Sequence, residues 1–488
     1  MVLSRVSRLT LAAALAAPLV YPFFATRAEE PTTAATPDSA KIGQEGPPNV
    51  AVGQPEPVVT LGSRVQPKPL AVPTQKALAY LISQQDASGG WGQGGGWRQN
   101  SQGSGRVEGT ETKDPPDLGN TCIAALALIR AGNTPQSGQY ANQLSLAVKF
   151  ICSKVDAADN DGLYVTDVRD TQLQQKIGQF VDTFLAGLVL SELKGKMPAG
   201  EPEQRLMAAL TKTVRKIEKN QKEDGTFTGN TGWASVLSQG LASKFINRAV
   251  QNKVAVSDEV LRRDYYQSVA GLDRKTGEFK VAAGSPTALP AEGRLGLSSR
   301  VERSGAAGDA GVQLYSFSAN AGRISDNSNT NVELERVAKA TLAKPAASDE
   351  EKKKAEADLK HVADVRGARE AAAAGIVRQL DDPRFVSGFG NNGGEEFLSY
   401  MNISEMLAAK GGQEWERWDK AVTSNLERIQ NKDGSWSGHH CITGRTFCTS
   451  AALLTLMADR APVPLAEKIK AQQSSVQPQA NPPASEKN

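Results

Sequence analysis

The chain has almost no net charge: 56 Lys and Arg stand against 53 Asp and Glu, a formal +3 over 488 residues. That balance gives no reason to expect binding to nucleic acid or to an anionic membrane surface. Histidine and cysteine are scarce, at three and four residues, so metal and thiol chemistry have few places to reside. The glycine-rich stretch at 89 to 105 (GGWGQGGGWRQNSQGSG) lacks the Gly-Lys-Ser/Thr ending and the preceding strand of a phosphate cradle, and reads as a flexible turn. Long apolar runs are missing too. The run from Leu9 to Phe24, roughly 16 residues broken by Pro18 and Pro22, falls short of the ~20 that a bilayer span requires.

That run has another reading. Arg5 and Arg8 precede it and Ala28 offers a small-residue cleavage point before Glu29, which together make a Sec-type signal peptide over residues 1–28. Export to the periplasm or the extracellular space is expected, with no stable membrane span after cleavage. No twin-arginine pair is present, so a preloaded cofactor is not expected. Residues 29–72 are rich in Pro, Thr, Ala and Gly and read as a disordered linker. Residues 461–488, ending in QQSSVQPQANPPASEKN, read as a disordered tail. The remaining body, 73–460, is large enough for one closed domain.

Within that body one short pattern recurs in the same register: QDASGGW from Gln85 to Trp91, QKEDGTF from Gln221 to Phe227 and QNKDGSW from Gln430 to Trp436. Each begins at the end of an apolar-periodic run, such as Trp418, Val422, Leu426 and Ile429, the signature of an amphipathic helix. Each is followed, after a loop, by a run of small and apolar residues, such as TCIAALALI from Thr121 or CTSAALLTLM from Cys448. Such runs suit helices buried on more than one side. Weaker copies at Gly162 and Tyr164, Gly277 and Phe279, and Gly388 and Phe389 bring the count to six helix pairs. Between about 282 and 370 the pattern is poorest, and the charged stretch Ser348 to Glu370 reads as a solvated helix inserted into the array. His361 sits in it as a surface residue.

At the glutamine-to-aromatic motifs the chain resembles the prenyltransferase and squalene-cyclase repeat superfamily. The resemblance implies an all-α fold, an α-α toroid of six inner helices ringed by six outer ones, with the inner N-termini facing a central cavity. It also implies that Gln85, Trp91, Gln221, Phe227, Gln430 and Trp436 are structural, tying each outer helix to its neighbour. The chemistries of the superfamily leave recognisable residues, and they are missing. There is no D-x-D-D acid of a polyene cyclase, no Asp-x-Cys with a following His for a prenyltransferase zinc, and no C-G-E-Q thioester segment. The pair Asp381 and Asp382 precedes Pro383 at a helix end and reads as solvated.

Two groups of side chains still offer chemistry. Asp117, Asp182, Asp309, Glu395 and Glu396 lie near the starts of inner helices, where a carboxylate caps the helix and where two facing carboxylates could act as acid and base on a sugar. The loop GHHCITGRTFC holds His439, His440, Cys441 and Cys448. Those residues could form a Cys441 to Cys448 disulfide or packed thiols, a zinc site, or a nucleophile, and a Cys122 to Cys448 bridge is a competing pairing. Zinc is the only cofactor this loop suggests. The reading is an exported toroid that binds an apolar small molecule, a glycan or a protein through its cavity or loops; the alternative is a cavity enzyme, carboxylate- or metal-based, acting on terpenoids or glycans.

Overall fold

The structure, a computed structural model, describes residues 58–98, 105–107, 109, 112–279, 308–390 and 392–467. Contacts divide the chain into Met1–Gln54 and Pro55–Asn488, and only the second contains described residues. The expected signal peptide, the linker up to 57, the stretch 280–307 and the tail from 468 lie outside them. Along the chain come β1 (Val58–Gly62), α1 (Val72–Gln84), β2 (Gly96–Arg98), β3 (Gly105–Val107), α2 (Leu118–Arg130) and α3 (Ala141–Ala157). Then follow α4 (Gln172–Ile177), α5 (Val181–Leu193), α6 (Glu201–Asn220), α7 (Ser235–Gln251), α8 (Asp258–Val269) and α9 (Gln313–Ala343). The last elements are α10 (Asp349–Gln379), α11 (Pro383–Val386), α12 (Gly394–Lys410), α13 (Gln413–Ile429), α14 (Arg445–Leu456) and β4 (Val463–Glu467).

Two kinds of helix alternate because two kinds of sequence do. In α13 the buried residues Trp415, Trp418, Val422 and Leu426 recur at helical spacing, with charged residues between them. Such a helix can cover a core on one side only. In α5 every residue is buried, so it needs protein all round. The inner helices α2, α5, α7, α9, α12 and α14, buried along most of their length or, in α9, over the first half, each pack on the next, and α14 packs on α2, which closes the ring. Helices α1, α3, α6, α8, α10 and α13 form the outer layer, so the fold is an all-α toroid of paired helices. Close approach inside the ring depends on small residues. A Cβ at Gly187 of α5 would sit 2.4 Å from the Phe245 ring of α7.

The glutamine-to-aromatic turns join this layer. Trp91 Nε1 donates to Leu81 O (2.7 Å) and Trp436 Nε1 to Leu426 O (2.9 Å), satisfying a last-turn carbonyl that an outer helix cannot pair internally. Their main-chain N–H groups donate to Thr121 Oγ1 and Thr449 Oγ1 of the following inner helix. The glutamine amides reach sideways: Gln85 to Gln143 O before the middle of α3, Gln221 to Val260 O of α8, and Gln430 to Pro73 O of α1. The last of these bonds the final outer helix to the first.

The ring centre is filled, which corrects the expectation of a central cavity. Ile123, Leu126, Leu185, Leu188, Leu241, Leu398, Met401 and Leu454 converge there and leave a void of about 10 Å³, room for one water at most. At the end where the inner helices finish, charged side chains close it. Arg130 pairs with Glu192 (3.3 Å) and Glu405 (3.1 Å), Lys244 with Glu405 (2.8 Å) and Asp326 (3.0 Å), and Arg248 with Glu192 (3.4 Å). Three cations and three anions from α2, α5, α7, α9 and α12 thus balance one another in a buried network.

Three further expectations are corrected. The charged stretch Ser348 to Glu370, read as an inserted helix, belongs to the fifth outer helix α10, and α9 before it is the fourth inner helix, where Ala310 to Asn320 offers the inner partner of the fourth turn; each helix is 31 residues long, and packing on one another supports their extra turns. The ends of the body are not linker and tail at their inner margins. Val58–Gly62 pairs antiparallel with Val463–Glu467, Val58 opposite Glu467 and Gly62 opposite Val463, because both segments carry β-branched or apolar residues able to share a ladder. In the fifth turn the buried aromatic is Phe385, six residues after Gln379, while Phe389 is 43% exposed.

Candidate functional site

The inner helices all begin at the opposite end from the ion network, and the loops there carry the candidate side chains. Helix α4 lies across this mouth. Its carbonyls Gln175 O and Lys176 O accept from Trp233 N (3.2 Å) and Ala234 N (2.7 Å) at the start of α7. Its Gln172 amide donates to Thr443 Oγ1 (3.3 Å) and accepts from Thr443 N (3.1 Å) in the loop before α14. The β2–β3 hairpin covers the same loop, with Trp97 N donating to Thr443 Oγ1 (2.7 Å) and Arg106 to Gly438 O (3.0 Å).

Asp117 and Asp182 form one group. Asp117 caps α2, accepting from Asn120 N and Nδ2 (both 2.8 Å), and Asp182 in the first turn of α5 accepts from Gln174 Nε2 (2.5 Å). Burial, then the neighbouring Asp182 carboxyl, pushes Asp117 up to about 7; burial pushes Asp182 to about 6. Two buried carboxyls side by side titrate as a pair. Asp309 is not with them. It sits before α9 and accepts from Gly311 N (2.8 Å), a turn-forming role.

The raised values carry a sign. A carboxyl whose folded pKa exceeds its unfolded one, ordinarily near 4, contributes most below that unfolded value, and its contribution is lost as pH rises through the folded pKa. The protein is therefore expected to lose stability between about pH 4 and pH 7 through this pair, at roughly 1.4 kcal/mol for each tenfold difference in proton affinity. Urea unfolding in chelator at pH 5 and pH 8 reads this out, with Asp182→Asn flattening the difference. A wild-type stability that climbs over that interval would disprove it.

The second group brings together residues from two consecutive inner-helix starts. Glu395 and Glu396 open α12 and are fully buried, and His440 and Cys441 precede α14. One ligand atom each from Glu395, His440 and Cys441 lie within 4.8 Å of one another. Glu395 Oε2 accepts from Ile442 N (3.2 Å), while its Oε1 is buried without a hydrogen bond. Burial, then Glu396, pushes Glu395 up to about 8; burial, then Glu395, pushes Cys441 up to about 12. Glu396 accepts from Tyr315 Oη (2.5 Å), Phe389 N (3.0 Å) and Gly393 N (2.9 Å), and its Oε2 lies 3.5 Å from His440 Nε2. The Phe389 ring stands edge-on to His440 at 5.0 Å and to Trp233 at 6.0 Å.

The loop residues named from sequence are thus divided. His439 is exposed, with its N–H on Asn392 O (2.7 Å), and Cys448 is buried within α14, its thiol toward Ile442 O (3.5 Å). Neither joins the Glu395, His440 and Cys441 group. The expected disulfides are corrected as well: Cys122, Cys152, Cys441 and Cys448 are all free thiols. Cys441 sits in the loop at φ 53° beside Glu395 while Cys448 is drawn into the ring wall, so their side chains serve different surroundings. Sequence reasoning missed Tyr315 altogether and offered Glu395 only as an acid. No local spacing could have joined them to His440, because ring packing alone brings α9, α12 and α14 together.

No protein-family model matches the chain, and no curated protein matches it. Among solved structures it is similar to an inactive variant of an α-1,6-mannanase of Salegentibacter sp. HEL1_6 in complex with α-1,6-mannotriose, at 9% identity and a TM-score of 0.45, over 79% of this chain and 98% of that one. It is also similar to a protein from Actinoplanes, at 12% identity and a TM-score of 0.42, over 80% of this chain and 98% of the other. At these values neither likeness assigns a residue or a reaction to this chain.

Proposed function

We propose that the chain is an exported, metal-dependent toroid whose Glu395, His440 and Cys441 hold one divalent ion of the zinc class at the mouth. The observation that carries this is the convergence of three ligand atoms within 4.8 Å of one another, one of them from the fully buried Glu395 carboxyl. Carboxylate, imidazole and thiolate are all zinc ligands, and three protein ligands with a fourth position left for solvent or substrate is the pattern of a catalytic site. Without a cation Glu395 and Cys441 keep their protons at neutral pH, so a lone Cys441 nucleophile is disfavoured. When bound, such an ion supplies Lewis-acid polarisation and an acidified water.

The chain's own residues would orient this site. Glu396 lies against His440 and is itself held by the Tyr315 hydroxyl and two main-chain N–H groups, the carboxylate-to-histidine arrangement that fixes a ligand ring. Phe389 backs the imidazole on its other side. Binding through the ring centre has no room, and terpenoid cyclisation would need an apolar chamber there.

Purified mature protein, dialysed and then titrated with zinc, is expected to take up about one ion per chain, with binding weakened by tenfold or more in Glu395→Gln and in Cys441→Ser. Cobalt substitution should give a thiolate-to-metal charge-transfer band that Cys441→Ser removes. Wild-type protein that takes up no stoichiometric metal, or variants that bind as well as it does, would refute the proposal.

A further inference from the structure

The fifth turn carries an aromatic ring more than its packing uses. Trp91, Phe227 and Trp436 are buried by their turns, at 0%, 5% and 1% exposure, and in the fifth turn Phe385 takes that place at 6%. Phe389 is thereby released from the core and stands 43% exposed. Its position is fixed all the same. Its N–H donates to Glu396 Oε1 (3.0 Å), and the Gly390 N–H closes the turn onto Ser387 O (3.0 Å). Gly388 has a φ of 60°, and a Cβ there would meet Glu396 Oε1 at 2.5 Å, so the turn can lie on that carboxylate only with glycine at this place.

The ring is held at the mouth, beside the candidate metal ligands. Its centroid lies 5.0 Å from that of His440 and 6.0 Å from that of Trp233, at interplanar angles of 60° and 88°. Neither neighbour stacks flat on it. An open ring of this kind restricts what can use it, because an apolar small molecule needs a concave site that buries most of its surface. A peptide would use an open strand edge or a groove for a helix, and residues 387–390 form neither. A sugar can lay its C–H face on an aromatic ring and keep its hydroxyls with water and polar neighbours. Such neighbours are present: His439 is exposed, with its N–H on Asn392 O (2.7 Å). In a β-linked glucose chain every ring hydroxyl is equatorial, so both faces of each sugar offer C–H groups alone.

We infer that Phe389, backed by Trp233, is the platform on which a β-linked glucose-type glycan lies at the mouth, bringing one sugar beside Glu395, His440 and Cys441. As the substrate class of the ion site this rests on the metal proposal; the platform itself does not.

Calorimetry on the full mature chain with cellohexaose, in chelator and with zinc, tests the two separately. Wild type is expected to bind the hexamer in both conditions. Phe389→Leu keeps an apolar side chain but no ring, and should weaken binding about fivefold to tenfold, whereas Phe389→Tyr should stay within about twofold of wild type. Thermal melting of both variants checks that they fold. No binding of the hexamer in either condition, or a Phe389→Leu variant that binds as tightly as wild type, would overturn the platform. Phe389-dependent binding by a chain that takes up no zinc would support the platform and refute the ion, and zinc uptake without hexamer binding would do the reverse.

Discussion

Replacing Glu405 by alanine is expected to destabilise the protein by about 3–5 kcal/mol at pH 7, the usual cost of removing one partner from a buried ion pair. Glu405 is 7% exposed and receives Lys244 at 2.8 Å and Arg130 at 3.1 Å. Burial alone would raise its pKa, but Lys244 and Arg130, helped by Arg248, outweigh that and hold it at about 2. The loss would strand two cations in a place water does not reach, with only Asp326 and Glu192 left to them. Urea unfolding measures the change. Glu405→Gln should cost less, because the amide oxygen can still accept one hydrogen bond, whereas equal stability of wild type and Glu405→Ala would show that the network is not the stabilising contact its geometry implies.

The other large effect is expected at Trp436. Its indole is 1% exposed, and truncation to alanine should cost about 3–5 kcal/mol through the cavity it leaves. The lost Nε1 donor adds to this, since Leu426 O is a last-turn carbonyl with no partner further along α13. Trp436→Phe should retain most of the volume and lose the hydrogen bond only, at about 1 kcal/mol; Phe227 already fills the corresponding place in the middle repeat without a donor. Gln430→Ala, which breaks bonds to both Gly434 O and Pro73 O, should fall between the two. A Trp436→Ala protein as stable as wild type would mean that the turn motif marks the repeat without holding it.

The same comparison shows how much was legible. The three strong motifs announced paired helices at Gln85, Gln221 and Gln430, since in each copy the glutamine amide donates to the next outer helix and the aromatic six residues on is buried. Where Pro383 stands in place of the glycine, the motif's glycine-then-aromatic order points to Phe389, although Phe385 is the buried ring. Helix α10 reads as an insert because its charges are satisfied locally, as in Lys354 with Asp358, a pattern that says helix but not which layer. The β1–β4 pairing was invisible, for its partners lie some 400 residues apart and short strands carry little periodicity.

Of the candidate site, sequence supplied the residue types and the helix starts. It could weigh Glu395 as an acid and His440 with Cys441 as ligands, but each from its own neighbourhood. Local pattern decided which stretches are helical, which face of each outer helix is apolar, and where each turn is tied, because those depend on residues within a turn or two of one another. Which carboxylate meets which thiol, whether leucines fill the ring or leave a chamber, and that Phe389 stands against His440 were decided by ring closure, since contacts between distant segments follow from packing six inner helices around one axis and from nothing nearer in the chain.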